Sequence, residues 1–192
     1  KPAIWEDKIV WQDYRNDEYG WWSSPGNRNT DIYLHNLTTN TTVQLTTNES
    51  SQVHPDIWKN YVVWEDYRDG NPEIYLLDLN DENATPVRIT NDPADQRVPK
   101  IHGGNIVYED YSEHSFGDIS IYDISEGESY FLTEHRLPQS QPNLYENRVV
   151  WADYRNHWYK NRAGDIFSYN LSTDENENNI SDFKEGGDIK NS

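Results

Sequence analysis

Apolar and polar positions along this chain alternate over short runs, and no stretch keeps the 3.6-residue period of an amphipathic helix. The runs are rich in β-branched and aromatic residues. Clusters of Gly, Asn, Asp and Pro separate them, which predicts strands joined by turns. The pattern recurs four times. Pro2-Ala3-Ile4 leads to Ile9-Val10-Trp11-Gln12-Asp13-Tyr14-Arg15, and Pro55-Asp56-Ile57 to Val62-Val63-Trp64-Glu65-Asp66-Tyr67-Arg68. Pro99-Lys100-Ile101 leads to Ile106-Val107-Tyr108-Glu109-Asp110-Tyr111-Ser112, and Pro142-Asn143-Leu144 to Val149-Val150-Trp151-Ala152-Asp153-Tyr154-Arg155. The prolines are 53, 44 and 43 positions apart, and the second apolar residue of each centre lies 8 positions after its proline.

A second block follows in each copy: Asp31-Ile32-Tyr33-Leu34, Glu73-Ile74-Tyr75-Leu76, Asp118-Ile119-Ser120-Ile121 and Asp165-Ile166-Phe167-Ser168. A third closes it, ending at Thr46, Thr90, Thr133 and Ser181, and each of the three Thr stands 9 positions before the next proline. In the first copy the blocks predict strands at Pro2–Trp5, Lys8–Tyr14, Asp31–Leu37 and Thr42–Thr46. Four strands in a unit of this length make one propeller blade. The fold class is therefore all-β, a β-propeller of four four-stranded blades at about 2–54, 55–98, 99–141 and 142–181. One domain spans 1–184, with a C-terminal tail at 185–192. Four blades make either a closed small ring or part of a larger ring completed by another copy. In the closed form blades one and four share an interface.

The unit resembles the WD40-like repeat of the TolB type, in the form found in archaeal cell-surface and surface-layer (S-layer) proteins. The Pro-x-Ile/Leu opening, the Val-Trp-x-Asp-Tyr-Arg centre, the Asp-Ile-Tyr block and the closing Thr carry the likeness, from residue 2 to about 181. The resemblance implies a β-propeller outside the cell. It implies no single activity, because propellers host binding, scaffolding and catalysis alike. Propellers of this type commonly have six or seven blades, more than the four repeats here.

Composition narrows the partners. With 34 acidic and 16 basic side chains the formal charge is −18, which repels phosphate backbones, so no nucleic-acid partner is expected. No run of 18 apolar residues predicts a membrane span, and no signal peptide is visible. Hydrophobic residues are only 34%, yet 8 Trp, 14 Tyr and 4 Phe supply large buried areas for a core. Cysteine is absent, which excludes disulfides and thiolate metal sites. Asn36, Asn40, Asn48, Asn83, Asn170 and Asn179 each open an Asn-x-Ser/Thr sequon, which favours an extracellular, glycosylated protein.

Residues present in every unit read first as structural. Trp11, Trp64, Tyr108 and Trp151 are the expected repeat core. Asp13, Asp66 and Asp153 are expected to pair with Arg15, Arg68 and Arg155 on the same strand face, while Ser112 leaves Asp110 to other donors. Asp31, Glu73, Asp118 and Asp165 open equivalent strands. They suit turn capping, and calcium, which takes six to eight oxygens, is the alternative use; no cofactor is expected. His35, His54, His102, His114, His135 and His157 form no His-x-x-x-His pair, and no nucleophile elbow or phosphate loop occurs, so no catalytic residue is assigned.

The copies differ between their second and third strands. The gap is 16 residues from Arg15 to Asp31 and 10 from Arg155 to Asp165, against 5 and 6 in the other copies. The two long loops carry Tyr19, Trp21, Trp22, His157, Trp158 and Tyr159, a candidate binding or assembly surface. The sequence thus reads as a non-enzymatic structural or adhesive surface protein. It would self-assemble into a homo-oligomer or polymer (a coat, sheath or filament) through blade edges and aromatic loops. The alternatives are a lectin-like propeller that binds a glycan, and a polysaccharide-degrading enzyme on a TolB-like propeller.

Overall fold

The computed structural model describes residues 1–17, 29–156, 164–173 and 175–180. Among these, sixteen strands form four four-stranded antiparallel sheets. Blade one is β1 (Ala3–Trp5), β2 (Lys8–Asp13), β3 (Asp31–Asn36) and β4 (Thr41–Gln44). Blade two is β5 (Gln52–Trp58), β6 (Tyr61–Asp66), β7 (Glu73–Asp78) and β8 (Val87–Arg88). Blade three is β9 (Gln96–His102), β10 (Asn105–Asp110), β11 (Asp118–Asp123) and β12 (Glu128–Phe131). Blade four is β13 (Gln139–Tyr145), β14 (Arg148–Asp153), β15 (Asp165–Asn170) and β16 (Glu175–Asn179). Strands pair in chain order within each blade, as a propeller requires.

The first strand of blades two, three and four starts three residues before the expected proline, at Gln52, Gln96 and Gln139. All three glutamines are buried. Between glutamine and proline the register slips in a β-bulge, and the residue before each proline, His54, Val98 or Gln141, turns left-handed at φ 52°, 52° and 55°. A bulge on an edge strand is where a proline, lacking an N–H, can sit inside a sheet. The left-handed residue points its own N–H at the preceding blade. His54 donates to Gln12 Oε1 (3.0 Å), Val98 to Glu65 Oε2 (3.1 Å) and Gln141 to Glu109 Oε1 (2.8 Å). Each successive pair of blades is clamped by one such bond.

Blade packs on blade through three apolar cores. Val10, Ile32 and Leu34 of blade one meet Ile57, Val62, Trp64, Tyr75 and Leu77 of blade two. Val63 and Ile74 meet Ile101, Ile106 and Tyr108 of blade three. Val107, Ile119 and Ile121 meet Leu144, Val149, Trp151 and Phe167 of blade four. The Trp/Tyr face of each blade thus rests on the preceding blade's Val/Ile face. The described residues contain no fourth core joining blade four to blade one, so the blades form an arc. Among the described residues the expected blade one–blade four interface is not formed: Ile4 and Ile166, whose counterparts are buried between blades, are exposed.

A side-chain module repeats on three blades. The indole N–H of Trp11, Trp64 and Trp151 donates to Oδ2 of Asp13, Asp66 and Asp153 at 3.0, 2.8 and 3.1 Å. The expected arginine completes it, with Arg15, Arg68 and Arg155 at 2.5, 2.6 and 2.6 Å from the same oxygen. Each guanidinium also lies over the ring of Tyr33, Tyr75 or Phe167, 4.3–4.5 Å from its centroid, a cation–π contact. In blade three, Asp110 takes hydrogen bonds from the Ser112 N–H and hydroxyl and from the Ser120 hydroxyl instead. Of the four expected core aromatics, Trp64, Tyr108 and Trp151 are buried, whereas Trp11 is only half-buried. Among the described residues no blade lies on the Trp11 face.

Candidate functional site

The loop residues Tyr19, Trp21, Trp22, His157, Trp158 and Tyr159 lie outside the described residues. The structure brings forward a different aromatic group. Trp5, Trp58, His102 and Tyr145 end the first strands of the four blades, each three residues after its proline. Their rings meet. Trp5 lies 6.0 Å from Trp58 and 5.8 Å from His102, both edge-on. Trp58 lies 5.8 Å and Tyr145 4.8 Å from His102. Lys59 sits 4.4 Å over the Trp58 ring, and His102 Nδ1 accepts the Glu146 N–H at 2.9 Å. Tyr145 is 66% exposed, and the buried Trp5 Nε1–H meets no acceptor among the described residues. The group is a partly open aromatic platform with a spare donor at its base. Equal spacing from the prolines was the sequence signal for it. A histidine and a tyrosine among the tryptophans hid the equivalence.

Between blades one, two and three, His54, Glu65, Tyr67, Arg97 and Gln12 help line a cleft of about 190 Å³. Glu65 is buried there and accepts from Tyr67 Oη (2.6 Å), while His54 Nδ1 lies 2.9 Å from it. Burial pushes the Glu65 carboxyl up, but the hydrogen bonds from His54 and Tyr67 outweigh it and hold the group below its usual range. Burial and the Glu65 charge push the Tyr67 phenol well up. The next blade repeats the arrangement as Tyr111 on Glu109 at 3.0 Å, with the Gln141 N–H donating where the Val98 N–H donates to Glu65. A carboxylate that recurs with its tyrosine and clamps a backbone N–H each time is explained by blade packing.

Asp31, Glu73, Asp118 and Asp165 are buried at the starts of β3, β7, β11 and β15. Thr46, Thr90 and Thr133 each accept the N–H of Ile32, Ile74 or Ile119 at 2.8 Å, and their hydroxyls donate to Asp31, Glu73 and Asp118. Asn16, Asn71, His114 and Asn156 lie 2.7–3.0 Å from the four carboxylates in turn. These oxygens tie the third strand to the turns around it. No cluster of three or more His, Asp or Glu suited to a metal occurs among the described residues. Of the sequon asparagines, Asn40 and Asn83 are exposed, while Asn36, Asn48 and Asn170 are half-buried with Oδ1 accepting nearby backbone N–H groups. No described helix is long and apolar enough to cross a membrane.

No family model and no curated protein matches the chain. Solved structures do. TolB from Acinetobacter baumannii is similar over 88% of this chain and 40% of its own, at 19% identity and a TM-score of 0.63. A puromycin hydrolase is similar over 94% of this chain and 28% of its own, at 13% identity and a TM-score of 0.69. A nidogen/laminin complex is similar over 91% of this chain and 60% of the matched chain, at 12% identity and a TM-score of 0.58. The chain is built of TolB-like β-propeller repeats, and it spans less than half the length of TolB or of the hydrolase.

Proposed function

We propose that this chain is a non-enzymatic, extracellular structural or adhesive protein that assembles with like surfaces into a coat, sheath or filament. One observation carries the reading: side chains buried between blades inside the arc are exposed at its two ends. Ile4 is 62% exposed, while its equivalents Ile57, Ile101 and Leu144 are 4%, 4% and 7%. Ile166 is 40% exposed, while Ile32, Ile74 and Ile119 are at 0%. Apolar surface shaped for another blade favours association. The sequons and the likeness to archaeal surface-layer repeats support placement at a cell surface. Light scattering over a range of concentrations tests the reading. A particle heavier than the 22.6 kDa chain is expected, and a monomer at every concentration speaks against it.

The second reading is carbohydrate binding, favoured by the platform of Trp5, Trp58, His102 and Tyr145. Aromatic faces stack on pyranose rings, and this set comes once from each blade. Titration with surface polysaccharide, followed by tryptophan fluorescence, should saturate in the native protein and fail in Trp58→Ala. An unchanged titration in the variant removes this reading.

A further inference from the structure

We infer that Asn36, Asn40 and Asn48 carry N-linked glycans, and that these sugars shield the outermost strand of blade one where the sequence supplies no charge. The inference rests on the extracellular placement proposed above and names a modification and its use. Between Asp31 and Glu49 no Asp, Glu, Lys or Arg occurs, although charged residues make up 26% of the chain. This stretch holds most of β3, all of β4 and the turn between them, and its residues 37–44 are all exposed. β4 pairs with β3 on one side, and no described strand pairs with it on the other. Proteins guard such outward-facing backbone groups with charge, proline or a very short strand. Among the other outer strands, β8 is 2 residues long and holds Arg88, β12 opens on Glu128, and β16 holds Glu175 and Glu177. β4, Thr41-Thr42-Val43-Gln44, has none of these guards. Its stretch has instead three of the chain's six sequons, at Asn36, Asn40 and Asn48. Glycans are bulky and solubilising, so they take the place of the missing charges.

The hairpin is also folded to leave the reacting nitrogens free. Each third strand ends on a residue whose side-chain oxygen caps the following turn. Asn36, Asp78, Asp123 and Asn170 accept the N–H two residues on, at 2.9, 2.9, 2.7 and 3.1 Å. Aspartate fills this role in blades two and three, so the turn needs only an oxygen. Asparagine in blades one and four adds an Nδ2 that donates to nothing among the described residues. Asn48 Oδ1 likewise accepts the Ser50 N–H at 2.9 Å. Asn40 stands exposed on the β3–β4 turn at φ 54°, its side-chain amide unused by any described group. In the transfer, Nδ2 attacks the anomeric carbon of a lipid-phosphate-linked oligosaccharide held by a membrane transferase. The new C–N bond forms as the anomeric C–O bond breaks. The lipid phosphate leaves with the bonding pair, and Nδ2 passes one proton to a base of the transferase. Oδ1 stays a carbonyl oxygen throughout, so the sugars add without undoing the turns.

Peptide mass spectrometry of the chain isolated from its own cells tests the modification. Sugar is expected on Asn36, Asn40 and Asn48, and a bare Asn40 overturns the inference. The shielding is tested on sugar-free chain made in the bacterial cytoplasm. It should precipitate at least tenfold faster than the glycosylated chain at equal concentration. Val43→Lys, which puts a charge on β4, should restore solubility to the sugar-free chain. Tyr130→Lys, at the equivalent exposed position of β12, should not. Circular dichroism checks that each variant is folded. Equal rates with and without sugar, or no rescue by Val43→Lys, overturns the shielding. A bare Asn40 on chain collected outside the cell sinks this inference and leaves the extracellular placement standing. A chain found only in the cytoplasm sinks both.

Discussion

Trp64 and Trp11 occupy the same place in the repeat and make the same bond to an aspartate, yet their surroundings differ. Trp64 is closed in by blade one, and among the described residues no blade covers Trp11, which is half-buried. Truncating a buried tryptophan costs about 3–5 kcal/mol. Trp64→Ala is therefore expected to cost that much in a denaturant melt of the monomer, and Trp11→Ala markedly less. Equal losses would show that blade one is covered within its own chain. The aspartates add a pH dependence. Hydrogen bonding to Arg15 holds the Asp13 carboxyl well below its usual range, and Glu65 is also held low. A folded-state pKa below the unfolded value adds stability above the unfolded value and loses it as pH falls through the folded one. Stability should fall as the solution is acidified below the ordinary carboxylate range, about pH 4. Asp13→Asn should flatten that limb of the curve. These pairings were legible in the sequence, because a carboxylate two residues before an arginine shares its strand face. The four-ring platform was not, since chemical type varies where position does not.

Among the elements, the first strand departs most from its expected form. Pro55, Pro99 and Pro142 read as strand starts, yet each sits within a strand after a bulge. Gln52, Gln96 and Gln139 before them fall outside the expected strand, although they are buried in it. Polarity hid the element, and hydrogen bonds satisfy part of each buried amide. Gln52 Nε2 donates to the Ser50 carbonyl, and Gln139 Nε2 to that of Leu137. The clamps formed by the bulges make a sharp prediction. Glu65→Ala strands the Val98 N–H and the Tyr67 hydroxyl in one step. With each unsatisfied buried donor costing about 1–3 kcal/mol, the melting midpoint should fall clearly, and Glu65→Gln should lose less, because its amide oxygen can accept the Val98 bond. A glycine shows how tightly a turn can be cut. Gly117 has φ +81°, and a Cβ there would lie 3.1 Å from the Tyr111 ring, so Gly117→Ala is expected to destabilise on both counts.

For the whole molecule, an arc of repeats distributes stability unevenly. Among the described residues, blades two and three are packed on both faces and blades one and four on one each, so local opening should begin at the ends. Hydrogen exchange should be slowest in β6, β7, β10 and β11, and faster in β2 and β14. When copies associate, the end strands should gain protection while the middle ones change little. Protection that is uniform in the monomer would indicate a ring closed within one chain. The number of blades and their strand order could be read from the repeat. The arc could not, because closure depends on the angle between blades, and no residue type encodes that angle by itself.

The prolines on the inner strands also bear on misfolding. An edge strand with free N–H groups is a template on which another chain can add in register and grow toward amyloid. Each of β5, β9 and β13 lacks an N–H at its proline and is kinked by a bulge beside it. A protein displayed at high local density would meet many copies of itself edge to edge. These strands can be approached by neighbours without being extended by them, which leaves blade faces as the route by which one chain joins another.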